Sequence, residues 1–229
     1  MTRIAIAGAG RMGQALGISI DLDADLALAG IWQRGDELSD LLIDSDVLID
    51  FSLPEANQII LEAAVDKKIP LVCGVSGLNE SQYAYLESAA AEIAIVFDRN
   101  MSLGIAVLER SVREIASSIG PEFKIEISEV HHMHKKDAPS GTALKLGEAI
   151  AIARNDDSSN LIKYSSDRRG DVPGDHEIKM ISSSEQLTFS HSATTRQVFV
   201  DGALQAAKWV LDKRPGLYSM QDVLFSHPK

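Results

Sequence analysis

The chain is poor in several things. Among its 229 residues there is one cysteine, aromatics make up 5%, and there are 7 prolines. A single cysteine excludes an intrachain disulfide and any cysteine-rich zinc site, and it fits a reducing compartment. No stretch approaches the roughly eighteen consecutive apolar residues of a membrane-spanning helix. No secretory leader is evident either: Thr2 and Arg3 run straight into Ile4-Ala5-Ile6-Ala7-Gly8, which reads as a strand ending in a glycine turn. A cytoplasmic protein with no membrane partner is the expectation. Positive charge is also scarce. Against 33 Asp and Glu stand 22 Lys and Arg, a net charge of −11 at pH 7. That balance disfavours general binding to nucleic acid or to membrane surfaces. Internal repeats and low-complexity tracts are not evident. What is present is an ordinary apolar share, 45%, and enough length for one large domain or two small ones.

The first hundred residues alternate apolar runs with helical patterns. Strands are predicted at 4–8, 26–32, 47–52, 71–75 and 93–98, and helices at 11–21, 54–67 and 79–91. The strands are nearly continuous apolar runs, as expected for a sheet covered on both faces. Alternation of this kind implies βαβ units and a parallel sheet. Pro54 suits a helix start, and Asn79 with Gln82 offers a capping pair. Between residues 32 and 47 at most a small turn of helix fits, around 38–43. After residue 100 the style changes. A long helix is predicted at 102–119, a half-buried alternating strand at 123–127, and a helix after Ser140. The polar stretch 154–175 reads as an exposed loop. A hairpin around Ser183-Ser184 joins 177–181 to 186–190, and a helix follows at 197–211. A parallel α/β unit is thus followed by a mixed one, with a boundary near residue 101.

Two segments carry chemistry. Gly8-Ala9-Gly10-Arg11-Met12-Gly13 is GxGxxG between a strand and a helix. One glycine serves the tight turn, one the close approach of a pyrophosphate, and one the packing of helix on strand. The helix N-terminus adds free N–H groups and partial positive charge. A glycine turn used only for packing is the plainer alternative. The acidic residue that NAD-binding turns carry about twenty positions later is not at the end of the second strand, which reads Trp32-Gln33-Arg34. An arginine there suits the 2′-phosphate of NADP, so the reading leans to NADPH over a solvated surface charge. Ligands of open α/β sheets sit beyond the carboxyl ends of the strands. Those ends are Phe51-Ser52, Gly74-Val75-Ser76 and Asp98-Arg99-Asn100-Met101. Phe51 could pack near a ligand ring or simply in the core, and Cys73 reads as a small buried hydrophobe.

The second segment is Glu129-Val-His-His-Met-His-Lys-Lys-Asp-Ala-Pro-Ser-Gly-Thr-Ala143. It runs from the end of a strand to a helix N-terminus. Ser140, Gly141 and Thr142 offer N–H groups and hydroxyls to a carboxylate. The imidazoles and ammonium groups beside them can bind a second carboxylate and move protons near neutral pH. A small dicarboxylate is the expected ligand. A histidine metal site, a solvated basic loop and a cap with incidental charges compete. The spacing matches no standard zinc pattern, so no metal is expected.

The HHxxKxDAPSGTA core of this segment resembles the signature of the 4-hydroxy-tetrahydrodipicolinate (dihydrodipicolinate) reductase family. Further pieces agree in order: the glycine turn, Asp50-Phe51-Ser52-Leu53-Pro54-Glu55, residues 74–77, Asn100-Met101-Ser102-Leu103-Gly104, residues 169–176 and Gly216-Leu217-Tyr218-Ser219-Met220. The resemblance covers essentially the whole chain. It implies a Rossmann-type parallel-sheet domain (1–101 with 197–229) and a smaller mixed α+β domain (102–196) for substrate and oligomerisation, through which a homotetramer forms. It implies hydride transfer from NADPH and/or NADH to C4 of a cyclic imine dicarboxylate in diaminopimelate and lysine biosynthesis. His131 would be proton donor/acceptor and Lys135 proton donor. His132, Ser140, Gly141 and Thr142 would bind substrate. Residues 8–13, Arg34, Phe51, Ser52, 74–76 and 98–101 would line the cofactor. Two other readings stand beside it: a two-domain dehydrogenase for an amino acid or a sugar, and a dinucleotide-binding redox sensor. The first would not be expected to carry HHxxKxDAPSGTA. The second would need a DNA- or partner-binding element, and no basic helix-turn-helix pattern is present.

Overall fold

The structure is a computed structural model and describes residues 1–155 and 162–226. In chain order the elements are β1 (Thr2–Ala7), α1 (Arg11–Asp21), β2 (Leu26–Trp32), α2 (Leu38–Leu42), β3 (Val47–Asp50), α3 (Asn57–Lys67), β4 (Leu71–Cys73), α4 (Glu80–Ala90) and β5 (Ala94–Phe97). There follow α5 (Leu103–Ser118), β6 (Lys124–His131), α6 (Gly141–Ala153), β7 (Ile162–Arg168), β8 (Gly174–Ile181) and β9 (Gln186–Ala193). The last are α7 (Gln197–Val210), β10 (Gly216–Tyr218) and α8 (Met220–Phe225). The chain divides into two compact units, Met1–Leu103 with the segment from Gln197 onward, and Gly104–Arg196.

The first unit is built on a six-stranded parallel sheet in the order β10-β5-β4-β3-β1-β2. Residues 4–7 of β1 and all of β3 are buried, which is why both read as unbroken apolar runs. Helix α1 buries Gly13, Leu16, Gly17 and Ile20, one face at helical spacing. Pro54 opens a single 3₁₀ turn, and α3 proper begins at Asn57. Helix α4 starts on the expected capping box: Gln82 N–H donates to Asn79 Oδ1 at 3.0 Å, and Asn79 N–H donates to Gln82 Oε1 at 2.9 Å. β1 and β3 are neighbours although β2 lies between them in sequence, so the strand order reverses there.

The second unit is a mixed sheet in the order β7-β6-β8-β9, parallel between β6 and β7 and antiparallel elsewhere. Helices α5 and α6 cover one face. Ile105, Leu108 and Val112 of α5 and Ala143, Leu146 and Ile150 of α6 pack on Ile125, Ile127, Ile178 and Met180. The structure corrects the sequence reading here. Within 154–175, expected as loop, residues 162–168 form β7; residues 156–161 lie outside the described residues. β7 is an edge strand with one face in solvent, so its polarity hid it. β6 runs four residues beyond the expected 127, to His131. β10 and α8 were not anticipated as elements.

Candidate active site

The glycine turn lies where the sheet order reverses, between the carboxyl ends of β1 and β3. Its glycines divide as the chemistry requires. Gly8 has φ +108°, and a Cβ there would stand 2.7 Å from the Phe51 carbonyl oxygen. A Cβ on Gly13 would stand 1.8 Å from the Gly8 carbonyl oxygen, so only glycine lets α1 sit on β1. Gly10, by contrast, faces open space. It is the N-cap of α1, makes no side-chain cap, and no acidic residue occupies the first turn. The N–H groups of α1 are therefore presented to an anion without a competing carboxylate. A nucleotide pyrophosphate fits this cradle.

Around it, Ala9, Arg11, Arg34, Ser76 and Arg99 are exposed, Met12 and Ser52 half-buried, and Val75 and Met101 buried. Val75 and Met101 thus offer backbone rather than side chain. The Phe51 ring lies against Gly74, where a Cβ would come within 2.5 Å of it. Asp98 accepts from the N–H groups of Asn100 (3.2 Å) and Met220 (3.3 Å), which shapes the loop after β5. A hollow of about 380 Å³ at the end of β2 is lined by Trp32, Arg34, Asp36, Glu37 and Glu55 among others. Asp36 is spent on the turn itself. Its carboxylate accepts from Gln33 N–H at 3.2 Å and its carbonyl from the Trp32 indole at 2.9 Å.

In the second unit the core face of the sheet changes character along β6. Ile125 and Ile127 are followed on the same face by Glu129 and His131. The register places Ser166 of β7 and His176 of β8 opposite Glu129, His191 of β9 opposite His176, and Arg168 opposite His131. A polar patch therefore crosses the sheet where it would otherwise be apolar. Glu129 and His176 are each 2% exposed and His131 6%. His131 Nδ1 is hydrogen-bonded to Glu129. Arg168 donates to both oxygens of Glu129, at 2.9 and 3.0 Å, and to the carbonyls of Lys135 (3.3 Å) and Asp137 (2.5 Å). Gly174 lies over His131, where a Cβ would be 2.9 Å from Nε2. The His131 and His176 rings meet edge-on, centroids 5.1 Å apart, and His176 Nε2 is 3.3 Å from Ser140 Oγ.

These contacts set the charges. Burial pushes Glu129 up, but its bonds to Arg168, Ser166 and His131 outweigh it and hold the carboxyl below its ordinary value. Burial lowers His131; the bond and charge of Glu129 oppose this without cancelling it, and Lys135 and Arg168 add to the lowering. His176, pulled down to about 3 by burial and then by His131, stays neutral. The carboxylate on Nδ1 assigns the His131 proton to that nitrogen and leaves Nε2 an acceptor.

The loop after β6 supplies the cations. Lys135 Nζ is 2.8 Å from Asp137 Oδ1, while Asp137 Oδ2 accepts from Gly141 N–H at 3.3 Å. Ser140 caps α6 by accepting from Ala143 N–H at 3.1 Å. Thr142 is buried, His132 half-buried and His134 exposed. His131 and Ser140 thus meet through His176, and Lys135 and Gly141 through Asp137. Glu129, Arg168, His176 and Asp137 were not singled out from sequence. For Glu129, carrying the 123–127 alternation onward would have reached both it and His131; for Arg168 nothing local pointed to a role. Among the described residues no three His, Cys, Asp or Glu side chains group as a metal site, and no helix is long and apolar enough to cross a membrane.

The chain matches the family models for the N-terminus (residues 2–101) and the C-terminus (residues 104–224) of dihydrodipicolinate reductase. It is 45% identical over 195 residues to a 4-hydroxy-tetrahydrodipicolinate reductase of Pseudoalteromonas translucida, spanning 78% of this chain and 73% of that one. To the Zymomonas mobilis protein of the same name it is 38% identical, over 96% of this chain and 95% of the other. Among solved structures, dipicolinate-bound dihydrodipicolinate reductase from Paenisporosarcina sp. TG-14 shares its fold, with a TM-score of 0.81 and 22% identity over 98% of this chain and 100% of that one. A myo-inositol dehydrogenase of Corynebacterium glutamicum is more distant in fold, with a TM-score of 0.62 and 16% identity over 93% and 89% of the two chains. With both halves matched in order, the chain belongs to the dihydrodipicolinate reductase family.

Proposed function

We propose that the chain reduces 4-hydroxy-tetrahydrodipicolinate to tetrahydrodipicolinate with NAD(P)H, in diaminopimelate and lysine biosynthesis. One observation carries the reading to the side chains. Lys135 and the first N–H of α6 already converge on a single carboxylate, that of Asp137. Donors arranged in this way suit a substrate carboxylate, and His132, Ser140 and Thr142 stand beside them in sequence to bind the rest of a small dicarboxylate.

Reduced nicotinamide, when bound, supplies the hydride. The glycine turn and α1 hold its pyrophosphate; Arg34, Phe51, Ser52, residues 74–76 and residues 98–101 form the remaining wall. Lys135 neutralises a carboxylate and delivers the proton that accompanies reduction. His131, its Nδ1 proton held by Glu129, offers Nε2 as proton acceptor at rest. Arg34 favours a 2′-phosphate, yet three carboxylates share its hollow, so both nucleotides are expected to serve, NADPH better. The protein would act in the cytoplasm as a homotetramer joined through the sheet of the second unit.

The test follows reduced-nicotinamide absorbance while the preceding synthase makes substrate in place from pyruvate and aspartate semialdehyde. Oxidation of NADPH and of NADH is expected; oxidation of neither overturns the reading. Lys135→Ala should lower turnover by on the order of 100-fold or more while the nucleotide Kd stays unchanged. Near-normal turnover would remove Lys135 from the mechanism.

A further inference from the structure

We propose that Arg168 is the positioning residue of this site: one guanidinium holds Glu129, which orients His131, and also holds the backbone that carries Lys135. The proposal rests on the reading that His131 and Lys135 act on substrate. It comes from the register of two parallel strands, β6 and β7, which sets Arg168 directly opposite His131. Apart from a local bond of Nη1 to the Asp167 carbonyl at 2.7 Å, its donors divide between two tasks. Nη1 and Nη2 form a fork on the two oxygens of Glu129, at 2.9 and 3.0 Å. Nε reaches the Lys135 carbonyl at 3.3 Å, and Nη2 also reaches the Asp137 carbonyl at 2.5 Å. A planar guanidinium makes such contacts only in one orientation. The strand end that bears His131 and the loop that bears Lys135 are thereby fixed by the same rigid group.

The chemistry needs this. Glu129 is almost wholly buried, and a buried carboxylate without a cation would take up a proton. Protonated, it could no longer hold the His131 Nδ1 proton as a charged acceptor. Nε2 would then cease to be reliably the free nitrogen. The loop from His132 to Asp137 has no regular structure of its own beyond turns. Two of its carbonyls bond to Arg168, and one of them is that of Lys135 itself. Misplacing a catalytic group by about 1 Å can cost on the order of 100-fold in rate.

A buried ion pair of purely structural worth would look similar, so the test must read His131 itself. The groups facing His131 are Glu129 on its own strand, Arg168 on β7, His176 on β8 (with His191 of β9 behind it) and Lys135 on the loop. The His131 ring is titrated by NMR in the full-length protein, assigned by its loss in His131→Gln. Glu129→Gln removes the attracting anion and should move the titration to lower pH. Arg168→Gln lets the buried Glu129 carboxyl take up a proton, so the same attraction is lost and the titration should again move to lower pH. If Arg168 did not keep Glu129 ionised, its removal would take away only an opposing cation; an absent shift, or a shift to higher pH in Arg168→Gln, overturns the proposal. Arg168→Lys keeps the charge and loses the fork. It should leave the titration near its wild-type position and lower kcat by roughly 10- to 100-fold, with the NADPH Kd unchanged. Unaltered kcat in this variant overturns the proposal even where Arg168→Gln fails to fold. The titration does not depend on turnover, so failure of the reductase reading would appear separately, as an inactive wild-type protein.

Discussion

Asp50 ends β3 with one oxygen accepting from Ser52 N–H at 2.8 Å and the other without a hydrogen-bond partner among the described residues. Burial pushes its carboxyl up to about 6, against the partial opposition of Ser52. The folded state therefore binds a proton more readily than the unfolded chain. Between the ordinary 3.8 and about 6 the folded state holds this proton and the unfolded chain does not, so stability falls as pH rises through that window. The gap corresponds to about 3 kcal/mol at neutral pH. Asp50→Asn should raise the unfolding free energy by about 1–3 kcal/mol at pH 8, and the gain should vanish below pH 4. Denaturant melts at the two pH values check this, and a pH-independent gain would contradict it. His176 works in the opposite sense. It stays neutral down to about 3, so the unfolded chain binds the extra proton, and stability contributed by this residue is lost as pH falls below 6.5. Neither group was legible in sequence. Asp50 sits in a run that reads as plain strand, and the environment of His176 is made by strands distant from it in the chain.

Among the elements, the loop and helix after β1 separate two uses of glycine that look the same as letters. Gly13→Ala would place a methyl group 1.8 Å from a backbone oxygen. Destabilisation by several kcal/mol is expected, read as a fall in melting temperature with or without nucleotide. Gly10→Ala meets nothing within 4 Å. It should fold as the wild type does yet bind NADPH at least 10-fold more weakly, as measured by fluorescence titration. At α4 the capping box makes a smaller claim: Asn79→Ala should cost about 1 kcal/mol, read by thermal or denaturant melts. Elements announced by punctuation were legible, α1 and α4 above all. β7 was not, for a physical reason. Its outward residues face solvent, and two inward ones, Ser166 and Arg168, serve Glu129 instead of filling a core. Local pattern and global fold part company where a site is built. β10 and α8 are too short, at 3 and 6 residues, to produce a periodic signal.

For the molecule as a whole, the charge of −11 must coexist with the anionic ligands proposed above, and local devices would answer it: the open N-terminus of α1, Arg34, and Lys135 beside the start of α6. If four copies assemble as proposed, sedimentation should give a particle of four times 24.8 kDa; a monomer would reject that part of the proposal. The glycine turn and the 131–142 segment were legible because each is contiguous. The Arg168–Glu129 pair was not, being 39 residues apart and joined only by strand register. The two-residue repeat of β6 has a further consequence, at the level of genetic change. Core and site share one face of that strand, so both obey a parity rule. One residue inserted between Ile127 and Glu129 would turn Glu129 and His131 to the opposite face. Two residues would restore the facing but advance them about 6.8 Å past Arg168 and His176. Only a bulge, such as the one by which β2 fits an extra residue against β1, could absorb a single insertion. Length can vary more freely between the strands, whereas within the eight residues of β6 a change in number moves core and site together.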